Sequence, residues 1–229
     1  MNFYPADAGA WRRLILWPSV IYALLFLLFE YGGLDMAVSA AFYGPAQGTF
    51  PLRNNFWMRE VLHDGARQLL AVLAAGLLAL WALSWHAARL RPHRRALAYL
   101  IVSITVSLVL VQQLKLHTNV DCPWNIAGLG GDRPHVALFS DRPDALPPGR
   151  CFPGGHSSGG FALLAFYFVA RGPRRAWLLP PGLIVGTVFA LDQWARGAHF
   201  PSHDLTSAYL GWMTALVLAK LFDRAGKQT

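Results

Sequence analysis

Long apolar stretches separated by short polar turns constrain this chain more than any other feature. A helix crosses the hydrocarbon core of a bilayer in about 20 residues. Six stretches approach that length: Leu14–Tyr31, Gln68–Trp85, Ala96–Leu114, Ser157–Ala170, Ala176–Trp194 and Leu205–Phe222. They predict an all-α, polytopic membrane protein of six transmembrane helices, with residues 1–229 forming one integral-membrane domain. The fourth stretch is short and reaches full length only if its helix starts in the Gly-rich segment before it. Pro18, Pro180 and Pro181 are expected near the starts of their helices, where a missing N–H is tolerated. Ala37-Val38-Ser39-Ala40 offers a small-residue cleavage site, but the polar stretch from Glu30 to Asp35 separates it from the apolar run. A retained first span is therefore expected.

The composition agrees with the spans. The chain is 55% hydrophobic and only 14% charged, whereas a soluble domain carries about 25% charged residues. A net charge of +8 raises the question of nucleic acid. The basic residues are scattered between apolar runs, however, without the aromatic and basic groove that single strands need.

The basic residues also fix an orientation. Arg12 and Arg13 precede the first span. Arg89, Arg91, Arg94 and Arg95 follow the second, Arg171, Arg174 and Arg175 follow the fourth, and Lys220, Arg224 and Lys227 close the chain. These are 12 of the 20 Lys and Arg residues, all on one side. By the positive-inside rule both termini are cytoplasmic, and segments 32–67, 115–156 and 195–204 face outward. Within the first of these, residues 44–67 read as a loop and a short amphipathic helix in the outer interface, with Phe56, Trp57, Val61 and Leu62 as its apolar members.

Cys122 and Cys151 share one outward loop. An even count in an oxidising compartment favours a disulfide, which contributes about 3–4 kcal/mol on the chain-entropy model.

Polar groups gather at three outward span ends. Lys115 ends the third span and precedes Asn119-Val120-Asp121-Cys122-Pro123-Trp124. Pro153-Gly154-Gly155-His156-Ser157-Ser158-Gly159-Gly160 opens the fourth. Glycines allow close backbone approach to a ligand, and a helix start offers uncapped N–H groups to phosphate. Gly159 and Gly160 also suit a close helix contact. Arg196-Gly197-Ala198-His199-Phe200-Pro201-Ser202-His203-Asp204 opens the last span, and so many polar groups at a membrane edge are costly unless they satisfy one another. Together these clusters supply the cations, backbone donors, nucleophile and acid that phosphoryl transfer uses.

Their order and spacing resemble the PAP2 (type 2 phosphatidic acid phosphatase) superfamily, whose pattern is K-x6-R-P, then P-S-G-H, then S-R-x5-H-x3-D. Lys115-x6-Cys122-Pro123 matches the first block with Cys for Arg. Pro153-Gly154-Gly155-His156 matches the second with Gly for Ser. Gln193-x5-His199-x3-His203 matches the third by spacing, with Gln for Arg and His for Asp. The resemblance implies a bacterial inner-membrane phosphatase with a periplasmic site, acting on a lipid phosphate or pyrophosphate that enters from the bilayer. Undecaprenyl pyrophosphate, phosphatidylglycerophosphate, phosphatidic acid and lipid A phosphates all fit.

In the mechanism so implied, His199 attacks phosphorus and His156 protonates the leaving oxygen. Lys115, Arg196 and the N–H groups around Gly155 and Ser157 hold the phosphate. Asp204, with His203, orients His199; Asp204 directly follows His203, and only His203 keeps the family spacing. Arg133 or Arg150 replaces the arginine lost at Cys122. No cofactor and no metal are implied. His199 and His203 have the i,i+4 spacing of zinc ligands, but Pro201 lies between them and the Glu of H-E-x-x-H is missing. A lipid phosphotransferase, or a noncatalytic lipid-binding or transport relative, would carry the same blocks.

Overall fold

The structure, a computed structural model, describes residues 8–170 and 172–225. Arg171 and Lys227, counted above among the basic turn residues, lie outside the described residues. Helices form the architecture: α1 (Ala8–Glu30), α2 (Leu34–Phe42), α3 (Ala66–Leu83), α4 (Arg94–His117), α5 (Gly155–Phe161), α6 (Leu179–Ala195) and α7 (Pro201–Ala225). A π-helical segment, Trp57–Gly65, runs directly into α3. The expected interfacial helix is thus the first part of a span, with Phe56, Trp57 and Val61 exposed on it. The short helix α2 was not expected from the sequence.

Among the described residues, five segments are long and apolar enough to cross a membrane: Gly9–Glu30, Trp57–Leu83, Arg91–His117, Arg174–Ala195 and Pro201–Ala225. The chain is a multi-pass membrane protein. The stretch expected to be the fourth of six spans differs. α5 does begin in the Gly-rich segment, but it passes into a 3-10 helix, Ala162–Phe168. Those two pieces rise only about 25 Å at ~1.5 and ~2.0 Å per residue, short of a hydrocarbon core about 30 Å thick. Packing explains how so short an element is accommodated. Gly159, Gly160, Phe161, Ala162, Leu164, Ala165 and Phe168 are all buried, so the element is a central post with its apolar residues turned to protein. A Cβ on Gly160 would meet the Gly186 backbone nitrogen at 2.5 Å. This is the small-residue contact that lets two helices touch along their backbones.

The outer helices have the opposite pattern. Leu16, Ile21, Leu24 and Leu27 of α1, Leu69 and Val72 of α3, Val109 of α4, Ile184 of α6 and Val217 of α7 are exposed. A chain in water rarely presents so continuous an apolar surface; in a bilayer these are lipid contacts. The main core lies between α3, α4, the 3-10 helix and α7, around Leu77, Tyr99, Leu100, Phe168 and Leu216. At that end Arg94 stacks 3.9 Å over Trp85 and Lys220 lies 4.1 Å over Trp11, pairings that suit a headgroup layer.

Pro180 and Pro181 sit in the first turn of α6 as expected. Pro18 does not sit near a start: α1 begins at Ala8, so this proline is inside the helix. It removes the N–H that would bond the Leu14 carbonyl. The indole N–H of Trp212 on α7 fills that vacancy, donating to the Leu14 carbonyl at 2.8 Å. Tyr22 and Tyr209, stacked 4.2 Å apart, continue the α1–α7 seam.

Candidate active site

The site is assembled where α4 and α6 end and α5 and α7 begin. The turn from α6 to α7 sets its geometry. Gly197 has φ +70°, a conformation that a side chain would strain, and its N–H bonds the Trp194 carbonyl at 3.0 Å. The Ala198 N–H bonds the Gln193 carbonyl at 2.8 Å. This reversal carries His199 back alongside the first turn of α7. There, the Ser202 N–H donates to Asp35 Oδ1 at 3.0 Å and the Ser202 hydroxyl donates to Glu30 Oε2 at 3.0 Å. Glu30 Oε1 also accepts the Leu138 N–H at 2.8 Å. Two buried carboxylates from the α1–α2 corner therefore serve the start of α7, where helical N–H groups lack partners and the dipole favours negative charge.

Asp204, one turn into α7, is the centre of the polar network. Its Oδ1 lies 2.8 Å from His199 Nδ1 and accepts the Ser157 hydroxyl at 2.5 Å. Its Oδ2 accepts the Trp194 indole N–H at 2.7 Å. A Cβ on Gly154 would collide with this carboxylate, so a glycine is required where the α5 loop crosses it. With Nδ1 held by Asp204, His199 has Nε2 left for the cavity. His203 is placed differently. Its ring is fully buried, edge-on to Phe152 and Phe200, and neither ring nitrogen has a hydrogen-bond partner. Its carbonyl accepts the Gly154 N–H at 2.9 Å. Of the two candidates to orient His199, Asp204 is hydrogen-bonded to the ring, whereas the His203 ring centroid lies 6.1 Å from that of His199.

A cavity of about 720 Å³ opens against His199. Lys115, Gly155, His156, Gln193 and the Cys122–Cys151 bridge line its polar end together with Arg67 and Arg150. The two cysteines are bonded, with Cα atoms 5.2 Å apart. Away from the polar end, Leu70, Leu73 and Ala74 of α3, Ile104 and Leu108 of α4, and Leu163 continue the wall as an apolar trough. Lys115 Nζ would lie 3.1 Å from a Cβ on Gly155, so its ammonium rests against the bare backbone of the α5 start.

The arginines sort themselves by contact. Arg196 has its guanidinium 3.6 Å from Asp192 and donates to the Arg53 carbonyl at 3.3 Å; it is not part of the cavity wall. Arg133 donates to Asp121 at 2.5 Å, and Arg142 grips the other Asp121 oxygen. That pair braces the loop, which leaves Arg150 as the loop arginine at the cavity.

His156 stands at the start of α5 with its ring 4.2 Å from that of His63 and 4.7 Å from Phe189. Its Nε2 is buried and has no hydrogen-bond partner. His63 comes from the π-helical segment, and its Nδ1 accepts from the Gln193 amide at 3.2 Å. Sequence reasoning missed His63, Arg67, Trp194, Glu30 and Asp35. Glu30 and Asp35 carried a usable signal, since two acids at the end of an apolar run are costly without a purpose. His63 carried none, because its place depends on a π-helical offset that periodicity does not reveal.

No curated protein and no solved structure matches the chain. The family model of the PAP2 superfamily matches residues 96–227, a range that contains Lys115, His156, His199 and Asp204 and leaves out α1, α2 and the His63 segment. A match over more than half the sequence, with its histidines and lysine gathered around one cavity, decides the question: the chain belongs to the PAP2 superfamily.

Proposed function

We propose that this protein is a membrane lipid phosphatase that removes phosphate from a lipid phosphate or pyrophosphate through a phosphohistidine at His199. Family membership gives phosphatase or phosphotransferase chemistry on phosphate esters. The observation that carries the finer reading is the cavity itself, with the His199–Asp204 pair at its polar end and an apolar trough between α3 and α4 leading away. A phosphate headgroup fits the first and an acyl or prenyl chain the second.

In the proposed reaction, His199 Nε2 attacks phosphorus in line with the leaving oxygen. Asp204 holds Nδ1–H and stabilises the cationic ring. Lys115 and the backbone N–H groups of Gly155 and Ser157 bind the phosphoryl oxygens, with Arg67 and Arg150 at the rim and Arg196 contributing its charge from behind Asp192. As the P–O bond breaks, His156 gives its proton to the leaving oxygen. It then takes a proton from water, which attacks phosphorus and frees His199 and phosphate. No metal takes part. The site faces the periplasm and both termini the cytoplasm of a bacterial inner membrane, in keeping with the basic turns at the opposite end of the bundle.

Incubating the purified protein with a panel of lipid phosphates and pyrophosphates, in the presence of a chelator, tests this reading. Phosphate release from at least one lipid, absent in His199→Ala, is expected. Lipid binding with no release from any of them would point to a noncatalytic relative.

A further inference from the structure

His63, His156 and Asp192 each offer a ligand atom, and the three atoms lie within 4.8 Å of one another. Asp192 is only 2% exposed, and its Oδ1 has no hydrogen-bond partner. His156 Nε2 is also buried and unpartnered. Two imidazole nitrogens and one carboxylate oxygen with a further position open to a cavity match a three-ligand zinc site; magnesium and calcium prefer all-oxygen shells. The alternative pair, His199 and His203, is unsuited. Their ring centroids are 6.1 Å apart, His199 Nδ1 is already held by Asp204, and His203 is sealed from the cavity.

We propose that His63, His156 and Asp192 form a reversible Zn²⁺ site whose occupancy inhibits the enzyme. The inhibitory half rests on the phosphatase reading above; the metal site itself does not. A metal bound to His156 Nε2 takes the lone pair that shuttles the proton, so leaving-group protonation and water activation both stop. The site is built for reversible binding. Asp192 Oδ2 accepts from Gln193 at 2.5 Å, and Arg196 lies 3.6 Å from the same carboxylate. Their positive ends compete with the ion, unlike the surroundings of a structural zinc.

Chelator-stripped full-length protein in detergent, titrated with Zn²⁺ against a chromogenic zinc indicator in phosphate-free buffer, provides the test. One Zn²⁺ per chain is expected, with no displacement by excess Mg²⁺. His63→Gln and Asp192→Asn should each weaken binding about tenfold or more, as loss of a ligand or its support does. X-ray absorption at the zinc edge of the wild-type complex should show imidazole and oxygen ligands, which keeps the proposal testable if either variant fails to fold. In parallel, phosphate release should fall along the same titration and return on adding chelator. No stoichiometric binding by folded wild-type protein, unchanged binding in both variants, or a spectrum without imidazole overturns the site. Stoichiometric zinc with undiminished turnover overturns the inhibition. Zinc binding to a protein that never releases phosphate supports the site and counts against the phosphatase reading instead.

Discussion

Asp35 accepts the backbone N–H of Ser202 at 3.0 Å, so a carboxylate from α2 caps the helix that carries Asp204. Burial, and to a lesser degree the neighbouring Glu30, push the Asp35 carboxyl up to about 7, against the pull of its hydrogen bonds from Ser202. The folded state thus holds this proton more tightly than the unfolded chain, whose aspartate titrates at 3.8. The resulting stability is fully present below that value and is lost as pH rises through about 7. Melting temperatures in detergent should fall between about pH 4 and 8. Asp35→Asn should flatten that slope; an unchanged slope would mean that another group sets it.

Pro18 and Trp212 form a compensating pair. Trp212→Phe leaves the Leu14 carbonyl without a partner, at a cost of about 1–3 kcal/mol. Pro18→Ala restores the helical N–H, so Trp212→Phe should cost much less in that background. A double-mutant cycle on thermal stability reads the coupling directly; additive effects would show that Trp212 contributes only its packing.

Asp204 and His203 are neighbours in sequence with opposite expected phenotypes. Asp204→Asn should lower kcat by about 1000-fold or more, as loss of an orienting carboxylate does in hydrolytic triads. His203→Gln should lower the melting temperature and leave turnover per folded molecule within a few-fold of wild type. Steady-state kinetics on monodisperse protein separates the two.

The arginines divide similarly. Arg150→Ala should raise KM by about 10- to 100-fold, the loss of one hydrogen bond to a charged group. Arg196→Lys, which keeps a counter-charge for Asp192, should retain most of the activity that Arg196→Ala loses. Equal losses in both Arg196 variants would instead put its planar fork on the phosphate.

The lipid-facing helices were legible because apolar length is the only requirement they meet; α3, α4, α6 and α7 lie close to where their hydropathy puts them. The fourth stretch departs from an ordinary span, a short α5 followed by a 3-10 helix packed inside the bundle. Hydropathy could not show this, because a buried post and a lipid-facing helix have the same composition. Pro18 was misplaced because its remedy, Trp212, is nearly two hundred residues away. At the site, Lys115, His156 and His199 could be read from spacing. The choice between Asp204 and His203 could not, since it turns on the Gly197 reversal, and neither could the contact of Arg196 with Asp192 one turn before it.

Trapping the covalent intermediate tests the central claim most directly. His156→Ala can still form phosphohistidine from an aryl phosphate, whose leaving group needs little protonation, but it should hydrolyse the product slowly. Quenching in alkaline denaturant, which preserves the P–N bond, followed by mass spectrometry should show one added phosphoryl group on the peptide containing His199. It should be absent from the double variant with His199→Ala. Phosphate release by wild-type protein with no such adduct in His156→Ala, or an adduct that survives removal of His199, would contradict the account.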